Sequence, residues 1–394
     1  MKSRARQDST TSVHGGEERH GQNVSLTTEI VQASVFALRD TDELEKYAAG
    51  KSKAYLYSRY ANPTVRVAER KLAAIEEGGE DCVLTASGMA AQMSTALAVC
   101  KAGDEIVSML DIYGGTLKLF RDVLSRCGIA TRFVPYRELD RIEKSINKRT
   151  RMMFLETPTN PTLRCVDIER LSAVGRKKGL FVMVDNTFAT PVLQKPLSLG
   201  ADAACHSITK FLGGHSDVTA GAVVGSKKWI DAIRNTTIYT GGCLDPNSAY
   251  LAIRGMKTLQ VRVERACSNA FAIAEFLKSH SRVEQVYYPG LMDCEGHQAA
   301  VKQMRDFGMM VSFDIKGGGK AARRFIDSLE LWYLAASLGG VESTVSYPVL
   351  ASHVGLDKKT LELLGVSPAT VRLSVGIEDS ADLVADLDQA LRRA

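Results

Sequence analysis

Lys210 stands in the run Ser207-Ile208-Thr209-Lys210-Phe211-Leu212-Gly213-Gly214-His215, with two hydroxyl residues before it and two glycines after it. A lysine turns nucleophilic when its surroundings strip it of water and of its proton. Such a lysine can hold a carbonyl compound as a Schiff base. The hydroxyls of Ser207 and Thr209 suit a phosphate, and the glycines let the backbone turn sharply. Asp185 closes the apolar run FVMVD, which sets a carboxylate at the tip of a buried strand. A pyridoxal ring needs an acid partner of that kind for its pyridinium nitrogen. Ser87-Gly88-Met89 sits where a strand meets a helix, and free N–H groups at a helix N-terminus favour a phosphate dianion. Tyr113, just before Gly114-Gly115, offers a ring for stacking and a phenol as an acid. Arg372, in VRLSV, offers the planar fork that fits a carboxylate. Each residue taken alone also has an ordinary reading: an exposed lysine, a helix N-cap, a strand–helix turn, a packed tyrosine, a surface ion pair.

The elements that must position these residues have a recognisable order. Cys82–Thr85, Glu105–Met109, Met152–Leu155, Phe181–Val184, Ala201–His206 and Ala220–Val224 read as short apolar strands. Helical stretches alternate with them, including Ala90–Cys100 and a turn-plus-helix over Asp111–Cys127. Such alternation predicts an α/β fold with a mostly parallel central sheet covered by helices. In such sheets ligands bind beyond the carboxyl ends of the strands. Ser87, Tyr113, Glu156, Asn160, Asp185 and Lys210 all follow predicted strands, which points to an enzyme. A long helical pattern over Asn247–Ser279 comes next. Met309–Ile315 and Val371–Val375 read as strands, and Ser380–Arg392 as an amphipathic helix with Leu383, Val384, Leu387 and Leu391 on one face. The expected domains are an N-terminal arm (1–60), a large cofactor-binding domain (61–250), and a linking helix with a smaller α/β domain (251–394). The arm is too poor in apolar periodicity to fold alone. It is either disordered or packed on something else, another subunit included.

Composition narrows the partners. The 394 residues carry 50 basic and 45 acidic side chains, a formal charge of +5. That balance does not call for a nucleic acid and suits anionic small molecules. The eight cysteines form no CxxC pair, and several lie in apolar runs, where they read as small buried hydrophobes rather than metal or redox groups. The basic N-terminus has no apolar stretch of a secretory signal, and no run approaches the roughly 20 apolar residues of a membrane span. The expectation is a cytoplasmic protein without membrane, nucleic-acid or metal partners.

Taken together, the segments resemble the cystathionine γ-synthase, cystathionine γ-lyase and methionine γ-lyase family, a branch of the fold-type I pyridoxal-phosphate enzymes that also holds the O-acylhomoserine sulfhydrylases. The matching stretches are YSRYANPTV (57–65), TASGMAA (85–91), DIYGGT (111–116), ETPTNPT (156–162), VDNTFATP (184–191), HSITKFLGGHSD (206–217), SLGGVES (337–343) and VRLSVGIED (371–379). They run in order over nearly the whole chain. The resemblance implies pyridoxal 5'-phosphate, with Lys210 as the Schiff-base lysine and Asp185 as the pyridinium partner. Gly88, Met89, Ser207 and Thr209 match phosphate ligands, and Thr187 belongs to the cofactor-binding set. Tyr57 and Arg59 match residues that reach a neighbouring subunit's phosphate. A homo-oligomer with shared active sites is therefore implied, usually a tetramer built as a dimer of dimers. Tyr113 matches the ring-stacking tyrosine and the acid for the γ leaving group. Asn160 matches a residue near the cofactor's phenolic oxygen, and Ser337 and Arg372 the pair that orders the lysine and binds the substrate carboxylate.

Three positions bear on the substrate. Relatives that handle cystathionine often carry a glutamate before the tyrosine of the YSR motif and another before SLGG; here these are Leu56 and Ala336. Methionine γ-lyases often have a cysteine after the YG pair; here it is Gly115. YSRYANPTV also resembles the O-succinylhomoserine sulfhydrylases. The expectation is a carbon–sulfur lyase that performs γ-elimination on a sulfur-containing or homoserine-derived amino acid. A γ-replacement enzyme (sulfhydrylase or cystathionine γ-synthase) is the alternative, and a fold-type I aminotransferase a further one.

Overall fold

The computed structural model describes residues 7–17 and 25–394. One sheet contains β1 (Asp81–Thr85), β2 (Glu105–Met109), β3 (Ala130–Val134), β4 (Thr150–Glu156), β5 (Phe181–Asp185), β6 (Ala203–Ser207) and β7 (Gly221–Gly225), in the order β1-β7-β6-β5-β4-β2-β3. The neighbours from β6 to β3 pair in parallel, as the apolar runs predict. β7 departs from that expectation and lies antiparallel to both β1 and β6. The reason is the connection. Residues 208–220, which carry Lys210, pass from β6 to β7 through turns and contain no crossover helix, so the chain reverses.

Both faces of this sheet are covered. Val83 and Val223 face one core with Ala91 and Ile230, while Leu84 and Val224 face another with Leu72 and Ile253. Neighbouring residues of a strand thus enter opposite cores, the period-two geometry of a strand buried on both sides. A second sheet holds β8 (Val283–Tyr287), β9 (Met310–Ile315), β10 (Tyr333–Leu334), β11 (Thr344–Ser346) and β12 (Thr370–Ser374), in the order β10-β11-β12-β9-β8. It shares a third core with the helices Leu259–Ser279, Gly318–Asp327 and Ser380–Arg393. No helix of the described residues is long and apolar enough to cross a membrane.

The single helix expected over Asn247–Ser279 is two helices, Pro246–Lys257 and Leu259–Ser279, parted at Thr258. The break has a structural use. A Cβ on Gly255 would lie 2.2 Å from the Gly213 carbonyl oxygen, so only glycine lets this helix approach the Lys210 segment. From the second helix, buried Arg262 donates to the carbonyls of Phe211 (2.7 Å) and Gly255 (2.6 Å). The turn-plus-helix over Asp111–Cys127 is one α turn (Gly114–Lys118), one π turn (Leu119–Val123) and one 3₁₀ turn (Leu124–Cys127).

The arm is not wholly irregular. Asp8–His14 is helical and packs beside the helix Pro63–Ile75 of its own chain. Fully buried Lys71 anchors it, donating to the carbonyls of Ser12 and Val13 (3.0 Å each) and pairing with Glu17 at 3.2 Å. Lys195 binds Asp8 from the other side at 3.3 Å, and Arg305 pairs with the same carboxylate. Lys71→Met would leave the Ser12 and Val13 carbonyls short of their donor and Glu17 with Lys257 alone, at 3.0 Å. Its expected cost is about 2–4 kcal/mol, read as a lower Tm of the holoenzyme with earlier proteolysis of the N-terminal helix. An unchanged Tm would show that this anchor contributes nothing.

Candidate active site

A cavity of about 360 Å³ opens where the carboxyl ends of β4, β5 and β6 face β12 of the second sheet. Its floor is Asp185. This buried carboxylate accepts the Thr187 N–H (3.0 Å) on one oxygen and Gln92 Nε2 (3.1 Å) on the other. Burial raises its pKa, against the hydrogen bonds from Thr187 and Gln92. Among the described residues no lysine or arginine hydrogen-bonds to it, so a cation arriving from the cavity would find an unspent negative charge.

The opposite end suits an anion. Ser87 caps the helix Gly88–Val99 and accepts the Ala90 N–H at 3.1 Å, while Ala91 donates to the Ser87 carbonyl. The first amides of a helix have no intrahelical acceptor, which leaves those of Gly88 and Met89 for a ligand. A Cβ on Gly88 would sit 3.1 Å from that of Ser207, so the turn is tight against β6. Ser207 lines the cavity here, its N–H donated to Thr187 Oγ1 at 2.9 Å. Thr209 lines it too, but its hydroxyl already exchanges hydrogen bonds with Ala220 (3.2 and 3.0 Å).

Lys210 lies between the two ends. Its Nζ is 2.5 Å from Ser337 Oγ. Burial, and then the nearby Arg372 guanidinium, depress its pKa to about 8. Ser337 is held in the left-handed region at φ +84°, rare for a side-chain-bearing residue. Arg372 Nη2 bonds its carbonyl at 3.2 Å. Arg372 itself is buried, donates through Nη1 to Asn160 Oδ1 at 2.8 Å and keeps Nε unpartnered. Burial lowers its pKa to about 10, which still leaves it charged at neutral pH.

Tyr113 reaches the rim of the same cavity, 44% exposed, with its N–H on Glu156 Oε2 at 2.8 Å. Its ring lies over Gly115, where a Cβ would come within 2.4 Å of Tyr113 Cε1. A cysteine at 115 would have to displace that ring.

The structure thus brings Gly88, Met89, Tyr113, Asn160, Asp185, Thr187, Ser207, Thr209, Lys210, Ser337 and Arg372 to one cavity. It does not bring Tyr57 and Arg59 there. Arg59 donates to the Ile238 carbonyl at 2.9 Å, its guanidinium lies over the rings of both Tyr57 and Tyr60, and Tyr57 is 37% exposed. Sequence reasoning missed Gln92 and the pair Ser352–His353. Gln92 had a signal, since it falls one turn after Gly88 on the same helix. Ser352 lines the cavity, with Oγ 2.8 Å from Nδ1 of buried His353, whose pKa is pushed down to about 4 by burial and then Arg372. Nothing in the run YPVLASH marks that pair.

An acid for a ring nitrogen, an amide cradle for a phosphate, and an easily deprotonated amine between them are the demands of pyridoxal phosphate, and this donor set fits it. The class is that of the pyridoxal-dependent α/β enzymes acting on amino acids. The chain belongs to the Cys/Met metabolism PLP-dependent enzyme family, whose model matches residues 9–392. It is 44% identical to the L-methionine gamma-lyase of Fusobacterium nucleatum subsp. polymorphum over 98% of both chains. It is 42% identical to the chloroplastic cystathionine gamma-synthase 1 of Nicotiana tabacum over 98% of this chain and 72% of that one. The crystal structure of metB from Corynebacterium glutamicum superposes with a TM-score of 0.92 at 40% identity, over 98% of each chain. The fold is that of the fold-type I enzymes, and the activity is that of the lyases and transferases of sulfur amino-acid metabolism.

Lys210 tests the cofactor end of the site. In apoenzyme its amine should lose its proton near pH 8. The rate of pyridoxal-phosphate capture should therefore rise with pH and level off just above 8, rather than near the 10.4 of an unperturbed lysine. Borohydride reduction of the yellow holoenzyme, followed by peptide mapping, should place the adduct on Lys210. An adduct on another lysine would refute the assignment.

Proposed function

We propose a carbon–sulfur lyase of trans-sulfuration type that performs γ-elimination on an amino acid with a small or uncharged γ-substituent, such as methionine, homocysteine or an O-acylhomoserine. The products would be a 2-oxo acid, ammonia and the departing γ-group, which is a thiol or hydrogen sulfide from methionine or homocysteine and a carboxylic acid from an O-acylhomoserine. The observation that carries this reading is Lys210 Nζ at 2.5 Å from Ser337 Oγ, in one cavity with Asp185 and Arg372. Pyridoxal phosphate supplies an electron sink that acidifies the hydrogens next to the amino-acid carbon it holds. In this reading Asp185 pairs with its ring nitrogen, and Thr187 steadies Asp185. Gly88, Met89 and Ser207 would take its phosphate, and Thr209 would join them by turning its hydroxyl away from the Ala220 carbonyl.

The substrate's carboxylate meets Arg372, whose Nε is unpartnered and whose plane is pinned by Asn160. Lys210 would take the α-proton and move protons onward. A pKa of about 8 suits that work, because a base acts best near the working pH. Ser337 aims the lysine. Tyr113, at the rim beside the γ-position, gives a proton to the leaving thiolate. A second reading is γ-replacement, which the likeness to cystathionine gamma-synthase and to metB favours. Both would use the same residues to bind the substrate, take its α-proton and release its γ-group, and would differ in whether water or a thiol then enters.

The proposal includes a homodimer at least, and a tetramer of two such dimers. It is supported by Tyr57 and Arg59, which stand outside their own chain's cavity. Arg59→Ala and Lys210→Ala chains, each inactive, should regain activity when mixed, through hybrid dimers with one intact site. No recovery despite proven subunit exchange would argue against a shared site. The arm, large and small domains set out above, and a cytoplasmic location suited to a small polar substrate, belong to the same reading.

Substrate choice follows from charge. A cystathionine-selective pocket needs an acid for the distal ammonium; Ala336 lines the cavity without one, and Leu56 offers none. Exposed Lys118, five residues after Tyr113, donates to the Val354 carbonyl at 3.4 Å. One missing charged hydrogen bond is worth about 1.5–3 kcal/mol, roughly ten- to a hundredfold in selectivity. Methionine, homocysteine or O-acylhomoserines should therefore show a kcat/KM at least equal to that of cystathionine. A clear preference for cystathionine that survives Lys118→Ala would overturn the substrate reading.

A further inference from the structure

Glu156 and Asp185 end adjacent parallel strands and pair directly in register, so two carboxylates stand side by side at the cavity. Their partners differ. Asp185 has two hydrogen-bond donors, Thr187 N–H and Gln92 Nε2. Glu156 has one, the Tyr113 N–H on Oε2 at 2.8 Å. It is nonetheless 5% exposed and lines the same cavity. The charged groups facing Glu156 come from three elements. Asp185 on β5 and Asp111 beyond β2 are acids that disfavour a further negative charge; Arg372 on β12 favours one. Arg372 is engaged with Asn160 and Ser337, and Asp111 pairs with Arg164 at 2.8 Å.

Burial is the largest influence on Glu156 and drives its pKa well above the ordinary carboxylate value. Two adjacent carboxylates in a water-poor site do not both ionise readily; the one with weaker support keeps its proton. We propose that Glu156 is a neutral positioning acid, holding its proton on Oε1 while Oε2 fixes the Tyr113 turn, so that Asp185 alone supplies the negative charge of this strand-end pair. The consequence is electrostatic. Asp185 can pair with a cationic ring nitrogen, while a second carboxylate charge beside it would oppose the electron density that the reaction sends toward the ring. Glu156 instead presents a hydrogen-bond donor. This goes beyond the assignment of lyase or replacement activity and holds for either, because it concerns the shared floor of the site.

Infrared difference spectroscopy on the holoenzyme at pH 8, wild type against Glu156→Gln, reads the proton directly and needs no substrate. The expected result is a carbonyl band of a protonated carboxylic acid in the wild type that Glu156→Gln lacks. Kinetics give the second measurement. Glutamine keeps a neutral acceptor for the Tyr113 N–H and a donor for the cavity, so kcat should be at least about tenfold higher in Glu156→Gln than in Glu156→Ala. The pH profile of Glu156→Gln should keep the wild-type limbs. No protonated-acid band in the wild type, or a kcat as low in Glu156→Gln as in Glu156→Ala, would overturn the proposal. Should Glu156→Ala fail to fold, the infrared comparison decides alone. Methionine turnover by the wild type separately tests the lyase reading.

Discussion

Lys210 has to be dry enough to give up its proton at a pH where the neighbouring Arg372 keeps its own. Lysine reaches that state by burial and by a nearby positive charge, and both operate here. Two cations in one small cavity repel each other, so their backbones must be held against that repulsion. The hold on Lys210 comes from behind. Arg262 ties the Phe211 carbonyl to the broken helix, and Gly339, at φ +82°, approaches so closely that a Cβ would fall 2.6 Å from Phe211 N. Ser337, with its left-handed backbone, touches both, Lys210 through its hydroxyl and Arg372 through its carbonyl.

The same constraint explains why two sheets are needed. Lys210 and Asp185 come from the strand ends of the first sheet, and Arg372 from a strand of the second. Asn160, in the turn after β4, joins them through its bond to Arg372. A substrate carboxylate can reach Arg372 only if the second sheet is docked to within a hydrogen bond of that turn. The buried ion pair of Arg164 with Asp111, and the bond of Ser312 Oγ to the Pro161 carbonyl at 2.7 Å, fix the segment from both sides.

Much of this was legible in the chain. The cores of β1, β2 and β5, CVL, IV and FVMV, are apolar because both faces of each strand are covered, and Ser87, Tyr113 and Asp185 beyond them line the cavity. Eight motifs in order pointed to the cofactor and to eleven residues that do share one cavity. Less legible were the strands over 130–134, 283–287 and 333–346, which are short, partly exposed or polar and carry little periodic signal. The reversal of β7 was hidden as well, since direction is set by a connection and not by the strand's own composition. The helix break at Thr258 lies in a continuous helical pattern, and Gly255 and Arg262 on its two sides meet the Lys210 segment far away in sequence.

By itself the sequence determined which chemistry is available: a lysine among hydroxyls and glycines, an acid at a strand tip, an arginine in a strand, and a family in which these act together. Residue type and local spacing carry that information because strand ends and helix starts are local events. Only the tertiary structure decided the protonation and pairing of those groups. Asp185 is met by Gln92 from a separate helix, Lys210 is dried by elements from both sheets, and Glu156 is crowded by acids on neighbouring strands. Desolvation and charge proximity depend on distances through space, and those exist only once the sheets have packed.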